Sequence, residues 1–403
     1  MADWMGSLPE SVRKKPLCTL CIPGSHDSGA YWFNLQLDYA HDQSFLRYYR
    51  NFECDFAKRI VKRWAITQSL PINEQLEIGI RFFDLRLELA LNANSYAHRE
   101  EAADVEDESE KCCFFVHGLY SAEWLILANQ IVNFLAAHPE EVVILNVNHI
   151  YRMSNYEFRC FFLHPLVNIA NRYGLQLCST DLDLRTISLE ELSKKNFRII
   201  VVGPLDEDIE ECCFRSGFIQ NRWPNKNNIS DVIHFLQAQI HSPATSGLRV
   251  MQGVITPKLF DILRHFRGSL HEIYSLPMRS VLKEWLRRLD REEIGNMNIL
   301  ISDQVDIEFC RLVYYLNVCD CPEQELRLAA LGEYMPYGSQ RSPRTLEVKK
   351  ESVEVEEQED EECEEELAPL IPHEIESMVE DLVINFAIDA MDCLAKEFKR
   401  KSD

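Results

Sequence analysis

The stretch Ile22-Pro-Gly-Ser-His-Asp-Ser-Gly29 sets a histidine and a carboxylate side by side where an apolar run, Leu17 to Ile22, ends. Leu20 and Ile22 would lie on the same side of a strand, so the run predicts a strand that opens into a loop. Loops entered from strands often carry binding and catalytic groups. His26 and Asp27 are therefore the first candidate functional residues.

Two further stretches place polar groups in strands. Ile80 to Leu89 alternates with the period of a strand, which predicts one polar face (Asp84, Arg86, Glu88) and one apolar face (Phe83, Leu85, Leu87). Cys112 to Gly118 reads as an apolar strand that ends in His117. Histidine and arginine are seldom buried for packing alone, so core packing does not explain two histidines at strand ends and an arginine within a strand. The three stretches together indicate a functional site.

Strand-like and helix-like segments alternate through the first 320 residues, which favours a parallel sheet with helices outside it. In a closed barrel of this type, catalytic groups lie at the carboxyl ends of strands, and His26, His117 and Asp303 fall there. Further predicted strands are Glu141 to Ile150, Phe197 to Gly203, Leu248 to Ile255 and Asn298 to Asp303. Predicted helices are Tyr31 to Leu37, Phe45 to Arg63, Trp124 to Ala137, Asn155 to Arg172, Met278 to Leu289 and Ile307 to Leu316.

Composition narrows the classes of function. The 403 residues, 46% of them apolar, can bury one large core with an appendage. Of the net charge of -23, 11 units lie between Glu351 and Glu366, and the remaining -12 argues against nucleic acid as a partner. An acidic surface should also disfavour anionic bilayers at low salt.

Location is predicted from the cysteines and from the pattern of apolar residues. The 14 cysteines are scattered, and the first residues show no secretory signal, so reduced thiols in the cytoplasm are expected. No run of about 18 apolar residues predicts a membrane span. Peripheral attachment to a membrane stays open.

The amino-acid composition of the chain changes after the predicted barrel. We interpret residues 1–320 as the barrel domain, residues 321–370 as an acidic linker without fixed structure, and residues 371–403 as an amphipathic helix. The helix must bury its apolar stripe on the barrel or on a protein partner. Its spacing is also similar to that of helices that anchor kinase A regulatory subunits, and an ordinary partner helix or self-association is the alternative. The stripe comprises Ile375, Met378, Val379, Leu382, Val383, Phe386, Ala387, Ala390, Met391 and Leu394.

The motifs resemble, in order and spacing, the X domain of phosphatidylinositol-specific phospholipase C, and most of all the family of proteins that consist of that domain alone. The matching stretches, over about residues 10 to 318, are Ile22 to Ser28, Thr67-Gln68, Glu74 to Leu76, Gly79 to Arg86, Phe115 to Gly118, His138 to Leu145 and Asn298 to Asp303. The resemblance implies a distorted (β/α)8 barrel. It also implies a phosphoinositide as substrate, met at a membrane surface.

The resemblance implies roles for six residues. His26 would be the base toward the inositol 2-hydroxyl and His117 the acid toward the diacylglycerol oxygen, a task that suits imidazoles near neutral pH. Arg86 would hold the phosphoryl oxygens. Asp27 and Asp84 would orient a histidine or the arginine, and Asp303 would pair with His26.

The resemblance also predicts that no metal or other cofactor is needed. Calcium-dependent members of the superfamily carry an asparagine after the first histidine and carboxylates at the positions of Asp84 and Arg86, with another on the next strand. Here those positions hold Asp27, Arg86 and an asparagine, Asn146 or Asn148. Calcium prefers several carboxylate oxygens, so the arginine would take over its electrostatic role.

Structural roles compete with these functional ones. Ser25 or Asp27 would cap a helix that begins near Ser28, Asp84 and Arg86 would form a buried ion pair, and Asp303 would cap the helix after it. Tyr31-Trp32-Phe33 would either enter lipid or pack on the barrel, and Trp223 would stack on a sugar or lie in the core. Cys18-x-x-Cys21 has no second pair and reads as core, not as a metal site.

Two other functions compete with the phosphodiesterase. A barrel with weak or no activity would bind lipid or act as a scaffold through its terminal helix. A glycerophosphodiester-cleaving or sphingomyelin-cleaving enzyme would use a divalent metal held by paired carboxylates, a pattern that Arg86 interrupts.

Overall fold

The computed structural model describes residues 1–43, 55–91, 111–204, 210–242 and 247–319. The predicted acidic linker, the predicted terminal helix and the first part of the helix predicted from Phe45 lie outside these ranges. Within them, no helix combines the length and the apolar character needed to cross a bilayer. Every cysteine of the described ranges is free.

A sheet of ten strands organises the described chain. Its main path runs β6-β7-β5-β2-β1-β10-β9-β8, with every neighbouring pair parallel, and an antiparallel hairpin of β3 and β4 continues from β2. The strands are β1 Ile22–Ser25, β2 Phe82–Leu91, β3 Lys111–Val116, β4 Tyr120–Glu123, β5 Val143–Tyr151, β6 Gln176–Leu177, β7 Phe197–Val202, β8 Ile219–Asn221, β9 Leu248–Gly253 and β10 Ile299–Ser302.

Helices follow most of the parallel strands, as the alternation in sequence predicted, whereas β3 and β4 form an antiparallel hairpin. Helices α5, α7 and α11 each begin with a reciprocal capping box, led by Ser154, Ser188 and Asp290. The helices are α1 Glu10–Arg13, α2 Asp55–Ala65, α3 Ile72–Ile78, α4 Trp124–Ala137, α5 Asn155–Phe158, α6 His164–Arg172, α7 Leu189–Lys194, α8 Ile229–Ile240, α9 Leu259–Arg264, α10 Leu276–Leu286, α11 Arg291–Asn296 and α12 Ile307–Leu316.

The parallel strands bury both faces, which is why they read as nearly continuous apolar runs. In β5, Ile144 points into an inner cluster together with Phe82 and Ile299. Its neighbours Val143 and Leu145 point outward into a second cluster that also holds the helices. An inner core enclosed by one curved sheet, with helices outside, is a distorted α/β barrel.

The curved sheet has an open seam between its two edge strands, β6 and β8. Among the described residues these two strands share no ladder, and an isolated bridge joins Val202, at the end of β7, to Phe214, which precedes β8. Strand β8 is hydrogen-bonded along one side, to β9. The barrel is therefore closed everywhere along the main path except at this seam.

Two predicted elements are wrong. The predicted strand Leu17 to Ile22 begins only at Ile22, because Leu17–Thr19 forms a short 3₁₀ turn and the Asn298 side chain binds the carbonyls of Leu17 and Leu20 at 3.0 and 2.7 Å. The predicted helix Tyr31 to Leu37 is irregular, because the Asn34 amide N–H donates to the Tyr120 carbonyl at 2.9 Å. The helices Trp124–Ala137 and Ile307–Leu316 have the predicted bounds.

Candidate active site

His26 leaves the carboxyl end of β1 beside the carboxyl end of β10. Its backbone N–H donates to the Ser302 carbonyl at 3.1 Å, which continues the pairing of the two strands. The next residue after β10, Asp303, lies with Oδ1 2.8 Å from His26 Nδ1. A proton on Nδ1 that is donated to Asp303 leaves Nε2 as the nitrogen that faces the mouth of the barrel.

Asp27 has a left-handed backbone, with φ of 38°, a conformation that aspartate adopts more readily than most residues. Ser28 holds this turn against β2, since its N–H donates to the Asp84 carbonyl at 2.8 Å and its hydroxyl accepts from the Asp84 N–H at 2.9 Å. The turn therefore fixes the direction of the Asp27 side chain.

The Asp27 carboxylate is the centre of the site. Its Oδ2 lies 3.5 Å from His26 Nε2 and 3.5 Å from His117 Nε2, and its Oδ1 lies 2.6 Å from Arg86 Nε. Both oxygens are buried, and neither accepts a hydrogen bond of good geometry from a described residue. The contacts are thus electrostatic, and the oxygens keep lone pairs for a proton donor.

Arg86 and His117 reach this point from β2 and from the end of β3. The predicted alternation of β2 is confirmed, because Phe83, Leu85 and Leu87 all belong to the outer core. Arg86 therefore points into the barrel. His117 Nδ1 lies 2.7 Å from the Ala65 carbonyl, so Nδ1 carries the proton and Nε2 faces Asp27.

Opposing effects set the pKa of His26. Burial alone would lower this pKa, but the negative charges of Asp27 and Asp303, with the hydrogen bond to Asp303, raise it to about 9. Burial likewise acts to raise the pKa of Asp27, yet Arg86 and the two histidines hold it below its usual value. Burial and the charge of Asp27 raise the pKa of Asp84. The site thus combines a charged Asp27 with a His26 that binds its proton tightly.

Several structural alternatives are wrong. No helix begins near Ser28, since residues 28–43 form turns and irregular backbone. The helix after Asp303 is capped by Asp306, whose side chain accepts from the Phe309 N–H at 2.8 Å. Arg86 contacts Asp27, not Asp84.

The aromatic and cysteine predictions have mixed outcomes. Phe33 is buried but Trp32 is half exposed, so the Tyr31-Trp32-Phe33 stretch is divided between core and surface. Trp223 is exposed, not core, and its indole N–H donates to Thr256 Oγ1 at 3.0 Å. Cys21 is buried, as expected of a core residue, whereas Cys18 is half-buried and lies in the short 3₁₀ turn.

Sequence reasoning missed residues that surround the predicted set. Both Asp42 oxygens accept from the Gly118 N–H at 2.9 Å, directly beside His117. His149 on β5 lies opposite Arg86, because the register of β5 shifts by one residue after Val147. The shift leaves Asn148 without a partner, while Asn146 lies opposite Asp84. A distant hydrogen bond places Asp42 at the site and the register of the sheet places His149 there, and the sequence displays neither.

The site fits calcium poorly. His26, Asp27 and Asp84 form a group of potential ligands whose donor atoms lie within 4.8 Å of one another. Calcium takes six to eight oxygen ligands, whereas the Arg86 guanidinium already lies 2.6 Å from one Asp27 oxygen. A divalent cation bound there would have to displace or face this fixed positive charge.

Comparisons with known proteins agree with the fold. The chain is 31% identical over 331 residues to PI-PLC X domain-containing protein 3 of Danio rerio, which covers 80% of this chain and 95% of that protein. It is 29% identical over 326 residues to PI-PLC X domain-containing protein 2 of Mus musculus, over 78% of this chain and 87% of that protein. No family model matches the chain.

A solved structure shows the same architecture. The phosphatidylinositol-specific phospholipase C of Listeria monocytogenes superposes with a TM-score of 0.53 at 17% identity, over 78% of this chain and 98% of that one. At that identity the likeness bears on the fold alone. The similarity in sequence to the animal proteins goes further, and with it the chain belongs to the family of PI-PLC X domain-containing proteins.

Proposed function

We propose that this protein is a phosphoric diester hydrolase that cleaves a phosphoinositide to diacylglycerol and an inositol cyclic phosphate. The observation that carries the proposal is the convergence of two imidazole Nε2 atoms and one guanidinium on the Asp27 carboxylate. An internal attack on a phosphodiester needs a base, an acid and a positive charge for the phosphoryl oxygens. His26, His117 and Arg86 supply these groups within one small volume.

In the proposed reaction His26 Nε2 takes the proton of the inositol 2-hydroxyl, and the 2-oxygen forms a bond to phosphorus. The bond from phosphorus to the diacylglycerol oxygen breaks, and a proton on His117 Nε2 is transferred to that leaving oxygen. Asp303 holds the imidazole of His26 through Nδ1 and stabilises its protonated form. The Ala65 carbonyl holds His117 in the same way.

In this proposal Arg86 supplies the positive charge that a bound metal ion would otherwise supply. Burial would lower its pKa, but Asp27, Asp84 and Asp42 raise it, so the guanidinium stays charged throughout the working pH range. We infer that activity needs no divalent cation, because this fixed charge offsets the negative charge that develops on the phosphoryl oxygens. The free cysteines support a reducing, cytoplasmic compartment in which the lipid is met at a membrane surface.

Substitution of the reacting groups tests the proposal. We expect His26→Ala and Arg86→Ala each to lower the rate on phosphatidylinositol vesicles by about 10³-fold, because each removes an interaction made in the transition state. Release of diacylglycerol and of inositol phosphate is measured, together with the thermal unfolding of each variant. The matched controls are His164→Ala and Arg172→Ala on α6, where both side chains are exposed.

The outcome separates the competing functions. Wild-type rates in either site variant would contradict the mechanism. No release of product by the wild type, with vesicle binding retained, would favour the lipid-binding or scaffold function. Loss of activity on addition of a chelator, with recovery on addition of calcium or magnesium, would favour a metal-dependent enzyme instead.

A further inference from the structure

Two polar residues between α2 and α3, Thr67 and Gln68, are fully buried. Buried polar side chains in folded proteins are hydrogen-bonded, so the partners of such a side chain indicate what it holds in place. The side chains of these two residues bind backbone groups at the ends of β1 and β10 and in the loops that follow them. These loops carry His26 and Asp303. We call Thr67-Gln68 the wedge.

The wedge takes the place of the next hydrogen bond in the ladder between β1 and β10. The pairing of these strands ends where the His26 N–H donates to the Ser302 carbonyl at 3.1 Å. In a parallel ladder the next bond would join the Gln304 N–H to the His26 carbonyl. Instead, the Gln304 N–H donates to the Thr67 carbonyl at 2.7 Å, and the His26 carbonyl accepts from Gln68 Nε2 at 2.8 Å. The wedge therefore lies between the two chains where each delivers a residue to the site.

The Gln68 amide bridges the two loops. Its Nε2 also donates to the Ser302 carbonyl at 3.0 Å, and its Oε1 accepts from the Val305 N–H at 3.2 Å. A side-chain amide is uncharged and offers two N–H donors together with an acceptor, which this arrangement requires. An apolar side chain of the same length would leave the His26 carbonyl and the Val305 N–H without these partners. The amide thus fixes the backbone on both sides of Asp303 relative to His26.

Each member of the His26–Asp303 pair is followed by a residue with a left-handed backbone. The φ angle is 38° at Asp27 and 50° at Gln304. Residues other than glycine seldom adopt this conformation, and they keep it where the surrounding structure imposes it. Thr67 contacts both of these residues, because its Oγ1 donates to the Asp27 carbonyl at 3.0 Å and its own carbonyl binds Gln304. The wedge therefore holds both loops in conformations that are locally unfavourable.

We propose that Thr67 and Gln68 are positioning residues that set the contact between His26 Nδ1 and Asp303 Oδ1. They act through the backbone of the two loops, not through the reacting atoms. The inference rests on the proposed function, in which Asp303 orients the base. The contact is 2.8 Å long and joins two separate loops. Displacement of a reacting group by about 1 Å can lower a rate by about 100-fold, so the proposed reaction depends on such a bridge.

Isosteric substitutions in the full-length chain test the proposal. Gln68→Met keeps the length of the side chain but removes its three hydrogen bonds. We expect kcat on phosphatidylinositol vesicles to fall by about 10-fold to 100-fold, with little change in KM, because the wedge does not contribute to substrate binding. Thr67→Val removes the one hydrogen bond to Asp27 and should lower kcat by a smaller factor. The matched control is Gln239→Met in α8, which is also buried and donates to the Val250 carbonyl within β9 at 3.1 Å.

Nuclear magnetic resonance of the histidine rings supplies a readout that needs no substrate. A proton shared between His26 Nδ1 and Asp303 should give a downfield resonance that is absent in His26→Ala. Gln68→Met should broaden or abolish this resonance, and Gln239→Met should keep it. Burial lowers the pKa of His26 and the charges of Asp27, Asp303 and Asp84 raise it, so a weaker contact to Asp303 should also lower the midpoint of the titration of the ring.

A double-mutant cycle identifies the group through which Gln68 acts. If Gln68 supports the contact of His26 with Asp303, its substitution should lower kcat far less in a chain that already carries Asp303→Asn. Equal losses of kcat in the presence and in the absence of Asp303→Asn would contradict an action through this contact.

The outcomes separate the positioning role from the proposed function. Wild-type kcat and an unchanged resonance in Gln68→Met would overturn the positioning role and leave the proposed function intact. Loss of the resonance in Gln239→Met as well would overturn it in favour of a general loosening of the fold. If Gln68→Met does not fold, Thr67→Val decides by the same two readouts. Loss of the resonance in Gln68→Met alone, without hydrolysis of phosphatidylinositol by any form, would support the positioning role and contradict the proposed function.

Discussion

The Asp27 carboxylate is the negative charge that faces all three groups of the proposed reaction. Its two oxygens face Arg86 and both histidines, and its backbone has a left-handed conformation. Buried carboxylates without neutralising neighbours take up a proton, but these three groups hold the pKa of Asp27 below its usual value. One negative charge therefore stabilises the positive charge of the groups that the proposed reaction uses.

The pKa of His26 predicts the pH dependence of the proposed reaction. A base must be neutral, and the pKa of His26 is raised to about 9. We therefore expect the limb of the kcat/KM profile that reports the base to rise by about tenfold per pH unit below about pH 9, whatever limb the acid adds. Asp303→Asn removes one cause of the raised pKa, so the rise should move to lower pH while the maximal rate falls.

A pH profile of the wild type and of Asp303→Asn checks this expectation. The matched control is Asp306→Asn, which alters a neighbouring carboxylate that caps α12. An unchanged midpoint in Asp303→Asn would contradict the assignment of His26 as the base. A midpoint that moves equally in the control would mean that the shift reflects a general change of charge.

At the scale of elements, the loop after β1 depends on a close approach to β3. A Cβ added at Gly29 would lie 2.3 Å from the Phe115 ring, whereas nothing lies within 4 Å of a Cβ added at Gly295 in α11. We expect Gly29→Ala to destabilise the fold by about 1 to 3 kcal/mol, because the ring must move out of a packed core. Gly295→Ala should stabilise by about 0.5 to 1 kcal/mol through helix propensity.

Urea unfolding of the two variants measures this difference. Because the Gly29 loop carries His26 and Asp27, the activity of Gly29→Ala should fall as well, even at temperatures where the variant stays folded. Equal stabilities of the two variants would show that the Phe115 ring moves without cost.

The elements that the sequence predicted well are those with a local period. The alternation of β2 and the apolar spacing of α4 and α12 are visible within a dozen residues, and the structure has them as predicted. The segment Tyr31 to Leu37 failed because Tyr120, far away in the chain, binds its backbone. Such a partner leaves no trace in the local pattern.

At the scale of the whole molecule, the difference between local patterns and contacts of distant residues explains which site residues could be predicted from the sequence. His26 and Asp303 follow the ends of predicted strands that are parallel in the structure, so a barrel alone brings them to one end. His117 follows β3, which runs antiparallel to β2, so the hairpin and not the parallel barrel brings it to the site. Asp42 reaches Gly118 across 76 positions of the chain, and His149 depends on a shift in register. No local spacing encodes either contact, so only the folded chain identifies these two residues.

The seam between β6 and β8 predicts that the strands of the sheet differ in their resistance to local unfolding. Strand β10 is hydrogen-bonded on both sides, to β1 and β9, whereas β8 is hydrogen-bonded to β9 alone. We expect the amides of Ile219–Asn221 to exchange with deuterated water faster than those of Ile299–Ser302, because fewer bonds must break. Equal protection of both strands would mean that the side-chain packing across the seam is as effective as a ladder.

The seam also decides where the wall of the barrel can give way. A strand at an open edge separates from the sheet more easily than a strand that is paired on both sides. Here the edge strand is β8, and Trp223 follows it in the chain. Strands β1 and β10, which are followed by His26 and Asp303, are hydrogen-bonded on both sides. His26 and Asp303 therefore follow strands that are held on both sides, whereas the exposed Trp223 follows a strand that is held on one side only.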